Sequence, residues 1–169
     1  MEFLIPGLIL VALMAWASTK IKKSAADAFE AETIETDKYS LQKPEGFLHV
    51  LIDPDHEFYA YSREFGEGAS SKLRRATIEI DVLNATRLAD VRNAIKSSAA
   101  EVELVSETAS ECELETEETA NENSVRAFYR IIAAQNGVYR LRFAALSVHL
   151  DEYLDRIKPT LDSFSVRSN

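Results

Sequence analysis

Four arginines stand on one predicted hairpin, Arg126 and Arg130 on its first arm and Arg140 and Arg142 on its second. Guanidinium groups bind carboxylates and phosphates through forked pairs of hydrogen bonds, so this is where the chain concentrates its recognition chemistry. Taking Gln135-Asn136-Gly137 as a three-residue loop, with Gly137 in the left-handed position, sets the register. Ala133 then faces Tyr139, Ile131 faces Leu141, Tyr129 faces Phe143 and Ala127 faces Ala145, which makes one face apolar. All four arginines share the other face, with Arg130 across from Arg142, a repulsive pairing unless an anion lies between them. Between Glu101 and Glu122 the chain has nine glutamates and no basic residue. Glu111, Glu113 and Glu115, alternating on a neighbouring strand, are one source of that anion. The other is an acidic partner segment or an anionic ligand, which makes Arg126, Arg130, Arg140 and Arg142 a partner-binding patch.

The remaining chemistry-bearing residues are fewer. Asp53, Asp55, His56 and Glu57 put four donors within five positions, and a metal accepts such groups where the backbone converges them. Asp-Pro-Asp is also ordinary turn chemistry, in which successive side chains diverge. His49 alternates with Phe47 and Leu51, as a hydrogen-bonded core histidine does. His149 falls in the first turn of the last helix and is expected to be solvated. Cys112 shares a strand face with Leu114 and reads as a buried thiol rather than a nucleophile. The Gly66-Glu67-Gly68 loop lacks the Lys-Ser/Thr of a phosphate loop. No catalytic residue, cofactor or metal site is assigned.

The elements that must position these residues follow from periodicity. Strands are expected at Tyr39 to Gln42, Phe47 to Ile52 and Phe58 to Arg63, and where Ile78, Ile80 and Val82 alternate with Thr77, Glu79 and Asp81. A helix capped near Asn84 or Thr86 carries Leu88, Val91, Ile95 and Ala99 at helical spacing. Strands at Val102 to Glu107 and Glu111 to Thr116 precede a polar connection, Glu117 to Ser124, and the long hairpin. A closing helix capped by Ser147 places Leu150, Tyr153, Leu154, Ile157, Leu161 and Phe164 on one stripe. The fold class is therefore α+β, an antiparallel sheet with helices packed on it.

That layout, with its Gly46-Phe47 opening, mid-chain helix, long hairpin and final helix closing in Ser163-Phe164, resembles the PsbP/DcrB-like superfamily over residues 39–166. The resemblance implies an antiparallel sheet sandwiched by helices and an accessory or binding role, often at membranes. Asp53-Pro54-Asp55-His56-Glu57 holds a proline after the Gly-Phe strand but no tryptophan, and no functional residue is carried over.

The N-terminus supplies an address. Residues 3–17 are apolar or small and uncharged, and Lys20, Lys22 and Lys23 follow directly. Such a run reads as a short transmembrane helix, and lysines remain on the cytoplasmic side, so Lys20, Lys22 and Lys23 determine the topology: N-terminus outside, remainder cytoplasmic. The rival reading is a cleaved secretory signal ending at Ala15-Trp16-Ala17, which gives a secreted or periplasmic product. The expected organisation is a transmembrane anchor at 1–19, a helical juxtamembrane stalk at 20–36 and a single PsbP-like domain at 37–169. Setting aside Glu2, Lys20, Lys22 and Lys23 leaves 16 basic against 27 acidic residues, a charge of −11, which argues against nucleic acid as a partner. The function expected is a membrane-anchored, non-enzymatic accessory or interaction module with a protein partner at the membrane. The alternative is a small-ligand or metal-binding receptor, or an enzyme, using a pocket between sheet and helix.

Overall fold

The computed structural model describes residues 27–62 and 73–167. Along these residues the chain forms β1 (Glu32–Glu35), β2 (Tyr39–Lys43), β3 (Leu48–Val50), β4 (Phe58–Tyr61), β5 (Ala76–Asn84), α1 (Leu88–Ser98), β6 (Glu101–Glu107), β7 (Glu111–Ala120), β8 (Asn123–Ala134) and β9 (Gly137–Leu146). A 3-10 turn (Ser147–Glu152), α2 (Leu154–Ser163) and β10 (Ser165–Val166) complete it. The strands pair antiparallel in a large sheet, β3-β4-β5-β9-β8-β7-β6, and a small one, β1-β2-β10. The architecture is α+β, sheet-rich with helices against the sheet, as the alternation in the sequence implied.

Both faces of the large sheet carry a core. On one, Ile78, Ile80, Leu141 and Phe143 pack with Ile157, Leu161 and Phe164 of the C-terminal segment and with Tyr39 and Leu41 of β2. On the other, Val91 and Ile95 of α1 cover Cys112, Leu114, Ala127, Tyr129 and Ile131. Two covered faces explain why the hairpin register differs from the one expected. Burial of a single face selects a register that collects all apolar residues on it, but here both faces bury apolar groups and either register serves. The observed β8–β9 register pairs Ala134 with Gly137, Phe128 with Phe143, Tyr129 with Arg142 and Arg130 with Leu141. Arg130 does not lie across from Arg142. Arg126, Phe128 and Arg130 share the α2 face with Phe143, while Arg140 and Arg142 lie on the α1 face with Tyr129, so the four arginines form two sets. Gly137 is required by close approach: at φ +149° a Cβ there would stand 2.3 Å from the Leu83 carbonyl oxygen of β5.

Other expectations are corrected locally. The helical stalk does not reach residue 36, because Glu32–Glu35 form β1 and bury Ile34 against β2. The strand expected from Phe47 to Ile52 is only Leu48–Val50, and Leu51 and Ile52 project into solvent. Glu117 to Ser124 is strand rather than a connection: β7 and β8 meet at Asn121-Glu122, both at positive φ, the geometry of a two-residue hairpin turn. α1 begins after Arg87, not at Asn84 or Thr86, and its first turn is tied by Arg87 Nε donating to Asp90 Oδ2 at 2.9 Å. Ser147 opens a 3-10 turn instead of capping α2, which rotates the closing stripe so that Leu154 stays 52% exposed while Tyr153, Ile157 and Leu161 are buried. Among the described residues no helix is long and apolar enough to cross a membrane. The expected anchor with Lys20, Lys22 and Lys23, and the Gly66-Glu67-Gly68 loop, lie outside the described residues.

Candidate functional site

On the α1 face, Arg142 is the centre of a partly buried network. Its Nη1 donates to Glu79 at 3.1 Å, its Nη2 to Glu118 at 2.7 Å and its Nε to the Tyr129 hydroxyl at 3.1 Å; that hydroxyl in turn donates to Glu118. Thr77 and Thr116 donate to the same two carboxylates, Glu79 and Glu118. Burial opposes charge here, yet the Arg142 guanidinium is held above its ordinary value by Glu79, Tyr129 and Glu118. Burial also raises Glu118, but Arg142, Tyr129 and Thr116 outweigh it and keep the carboxyl below its usual range. The Tyr129 phenol is pushed up to about 12, chiefly by burial. Arg140 donates to Asp81 at 2.6 Å, and Asp81 also meets His56 Nδ1 at 2.8 Å.

On the α2 face the expected glutamate strand does neutralise its neighbours. Arg126 pairs with Glu115, and Arg130 with Glu111 at 3.1 Å and Glu113 at 3.6 Å. Arg130 also donates to the Leu161 carbonyl at 3.2 Å, closing the end of α2, where backbone acceptors lack helical partners. All four hairpin arginines are thus engaged by carboxylates of the domain itself. The sequence disclosed the β7 glutamates but not Glu79, Asp81 and Glu118, whose role depends on the register.

The His56 cluster does not converge. Asp53 accepts the backbone N–H groups of Asp55 and His56, Glu57 pairs with Lys38 at 2.7 Å, and His56 turns to Asp81. Among the described residues no three His, Cys, Asp or Glu side chains gather as a metal would need. His49 packs against Phe58, tilted by 41° with ring centroids 4.7 Å apart, and faces Glu32 at 3.7 Å, and burial lowers its pKa. His149 is not simply solvated but pairs with Glu152 at 2.7 Å. Cys112 is fully buried beneath α1, and burial raises its thiol pKa, in keeping with an inert side chain.

Two of the concavities among the described residues bear on binding. A cleft of about 710 Å³ lies between the small sheet and the end of the large one, with Val82, Ile132, Tyr139 and Val166 among its lining and Asp37, Lys38, Glu111 and Arg167 among its charged groups. The second is a trough of about 240 Å³ between α2 and β7, formed by Phe128, Leu154, Ile157, Leu161 and Val105 and rimmed by Glu113, Glu115, Lys158 and Asp162. Val105 sits at the irregularity of β6, where the register shifts between Leu104 and Ser106. Beside the trough the outer strands oppose like charges, Glu101 to Glu117 and Glu103 to Glu115. Sequence reasoning missed this trough because it placed Leu154 on the apolar stripe of the closing helix, and the irregularity of β6 depends on its pairing with β7.

Solved structures of low sequence identity share the fold. The crystal structure of LpqN, involved in cell envelope biogenesis of Mycobacterium tuberculosis, superposes with a TM-score of 0.51 at 11% identity, covering 81% of this chain and 90% of that one. A crystal structure of a protein from Bacteroides thetaiotaomicron superposes with a TM-score of 0.50 at 12% identity over 78% of this chain, which spans only 46% of that longer chain. The solution structure of cyanobacterial PsbP from Synechocystis gives a TM-score of 0.45 at 8% identity, covering 82% of this chain and 94% of that one. No protein-family model and no curated protein matches the chain. At these identities the likeness is one of fold.

Proposed function

We propose that this chain is a non-enzymatic accessory module, tethered to a membrane by residues 1–19 with its domain on the cytoplasmic side, that acts by binding a protein partner there. The observation that carries the reading is the uncovered half of the α2 face. There an apolar trough stands open among carboxylates, with Leu154 52% and Val105 57% exposed, the form of a recognition surface rather than of a reaction centre. A tether raises the local concentration of such a surface and lets a modest affinity suffice. Lys20, Lys22 and Lys23 set the orientation in this reading, and cleavage near Ala17 is its rival. LpqN, a fold counterpart, is described as involved in cell envelope biogenesis, a setting that suits a membrane-associated module.

Reporter fusions at the C-terminus, combined with crosslinking of the intact protein in its membranes, test both parts. A reporter that works in cytoplasm should be active and an export-dependent phosphatase silent, and crosslinking should recover a discrete protein. The converse reporter pattern, a mature chain beginning near Ser18, or no crosslinked partner would count against the reading. A second reading, a small-ligand receptor, is favoured by the cleft of about 710 Å³, which falls in the size range of small-molecule sites. A ligand that raises the melting temperature of wild type but not of Tyr139→Ala would support it.

A further inference from the structure

Resting on the reading of the chain as an interaction module, we infer that the trough between α2 and β7 seats a basic segment of the partner protein. That segment inserts one or two large apolar side chains between Leu154 and Val105 and sets lysines or arginines against the acidic rim, where Glu103 faces Glu115 and Asp162 closes the α2 side. A volume of about 240 Å³ is smaller than the roughly 300–1,000 Å³ of small-molecule sites but admits a pair of aliphatic side chains. Its walls are ready for them: Ile157 and Leu161 are already buried, and Leu154 and Val105 have apolar surface left to cover.

Charge chooses among occupants. Arg126, Arg130 and Lys158, the cations on this face, are already held by Glu111, Glu113, Glu115 and Asp162, which leaves Glu101, Glu103 and Glu117 in excess, and the facing pairs Glu101–Glu117 and Glu103–Glu115 repel. A cationic segment relieves that repulsion on docking, so its binding is strengthened by the surface it meets. A second copy of this chain would bring the same carboxylates face to face across a two-fold axis. An acidic segment, a nucleic acid or an anionic bilayer would be repelled likewise. A basic, apolar-anchored peptide is the occupant whose chemistry complements both floor and rim.

The test uses the full chain in phosphatidylcholine nanodiscs and, as probe, a fluorescein-labelled alanine-based helical peptide bearing two leucines one turn apart and lysines elsewhere, with empty nanodiscs subtracted. Fluorescence anisotropy should show saturable binding that weakens with salt and is lost when glutamates replace the lysines. Leu154→Ser and Asp162→Lys should each weaken binding by about five- to tenfold. Leu51→Ser and Asp151→Lys, exposed changes elsewhere, should leave it unaltered. Leu154 is half exposed, so its variant should keep the wild-type circular dichroism and melting temperature, which separates loss of the seat from loss of the fold.

Equal affinity of Leu154→Ser and wild type, or equal binding of the glutamate peptide, overturns the inference. A dimer that Leu154→Ser dissociates would give the trough to a second copy, and peptide binding that appears only after residues 1–26 are removed would give it to the chain's own N-terminal segment; either result also overturns it. The two proposals fail separately. A crosslinked partner still captured by Leu154→Ser removes the seat and leaves the module, whereas no partner of the wild type removes the module.

Discussion

Leu154 and Ile157 are one helical turn apart in α2, and the register of that helix gives them opposite duties. Ile157 is 5% exposed within the core under α2, whereas Leu154 is 52% exposed at the trough. Ile157→Ala should therefore cost about 2–5 kcal/mol in urea denaturation and Leu154→Ala under about 1 kcal/mol. Equal costs would mean that α2 is rotated from its place here. His49 carries a pH dependence. Burial lowers its folded pKa below the ordinary 6.5, with Lys43 adding to that effect and Glu32 opposing it. The neutral imidazole suits the fold, so its contribution is complete above about 6.5 and is lost as pH falls through the depressed folded value, where the unfolded chain binds the proton more readily. The carboxylates lose stability on acidification too, so the measurement is the difference between wild type and His49→Gln. Between pH 7 and 5 wild type should lose ground relative to the variant, and a constant difference would show that His49 is not desolvated.

Strands and helices were legible in the sequence wherever a single face decided the pattern. Ile78, Ile80 and Val82 alternate as β5 does, Val91 and Ile95 set the buried face of α1, and the glutamates at 111, 113 and 115 share one side of β7. What failed was whatever needed knowledge of a second layer. With α1 on one face and α2 on the other, Phe128 and Tyr129 are adjacent residues on opposite faces and both have apolar surroundings, so the hairpin register could not be chosen from burial alone. The arginine patch dissolved with that register, and the Arg142–Glu79–Glu118–Tyr129 network appeared in its place. The β6–β7 pairing also has a measurable consequence. Glu103 faces Glu115 directly, and Glu103 is exposed, so Glu103→Lys replaces a like-charge pair with an attractive one. The substitution should stabilise the protein by about 0.2–1 kcal/mol at low salt, with the gain shrinking as salt is added. A destabilised variant would contradict this register.

At the scale of the whole molecule, the question is where the domain begins. Sequence periodicity put the boundary at residue 37, after a helical stalk, but the structure folds the preceding strand into the small sheet. β1 pairs with β2 from Glu32↔Lys43 to Glu35↔Ser40 and buries Ile34. Just before it, the Phe29 carbonyl accepts the Gly46 N–H at 2.7 Å. The Lys43 ammonium, 1% exposed, donates to the carbonyls of Glu30 and Phe47, and burial lowers its pKa. A chain started at residue 37 would leave that buried cation with one carbonyl fewer, uncover Ile34's neighbours in the core and turn β2 into an open edge. A chain started at residue 27 keeps all of these contacts. The expected outcome in calorimetry is that the residue-27 fragment melts close to the full-length protein. The residue-37 fragment should lose about 3 kcal/mol or more, about 6–12 °C for a domain of this size, and should associate with rising concentration through the exposed β2 edge. Coincident melting of the two fragments would show that β1 only rests against the domain, and would restore the boundary that the sequence suggested.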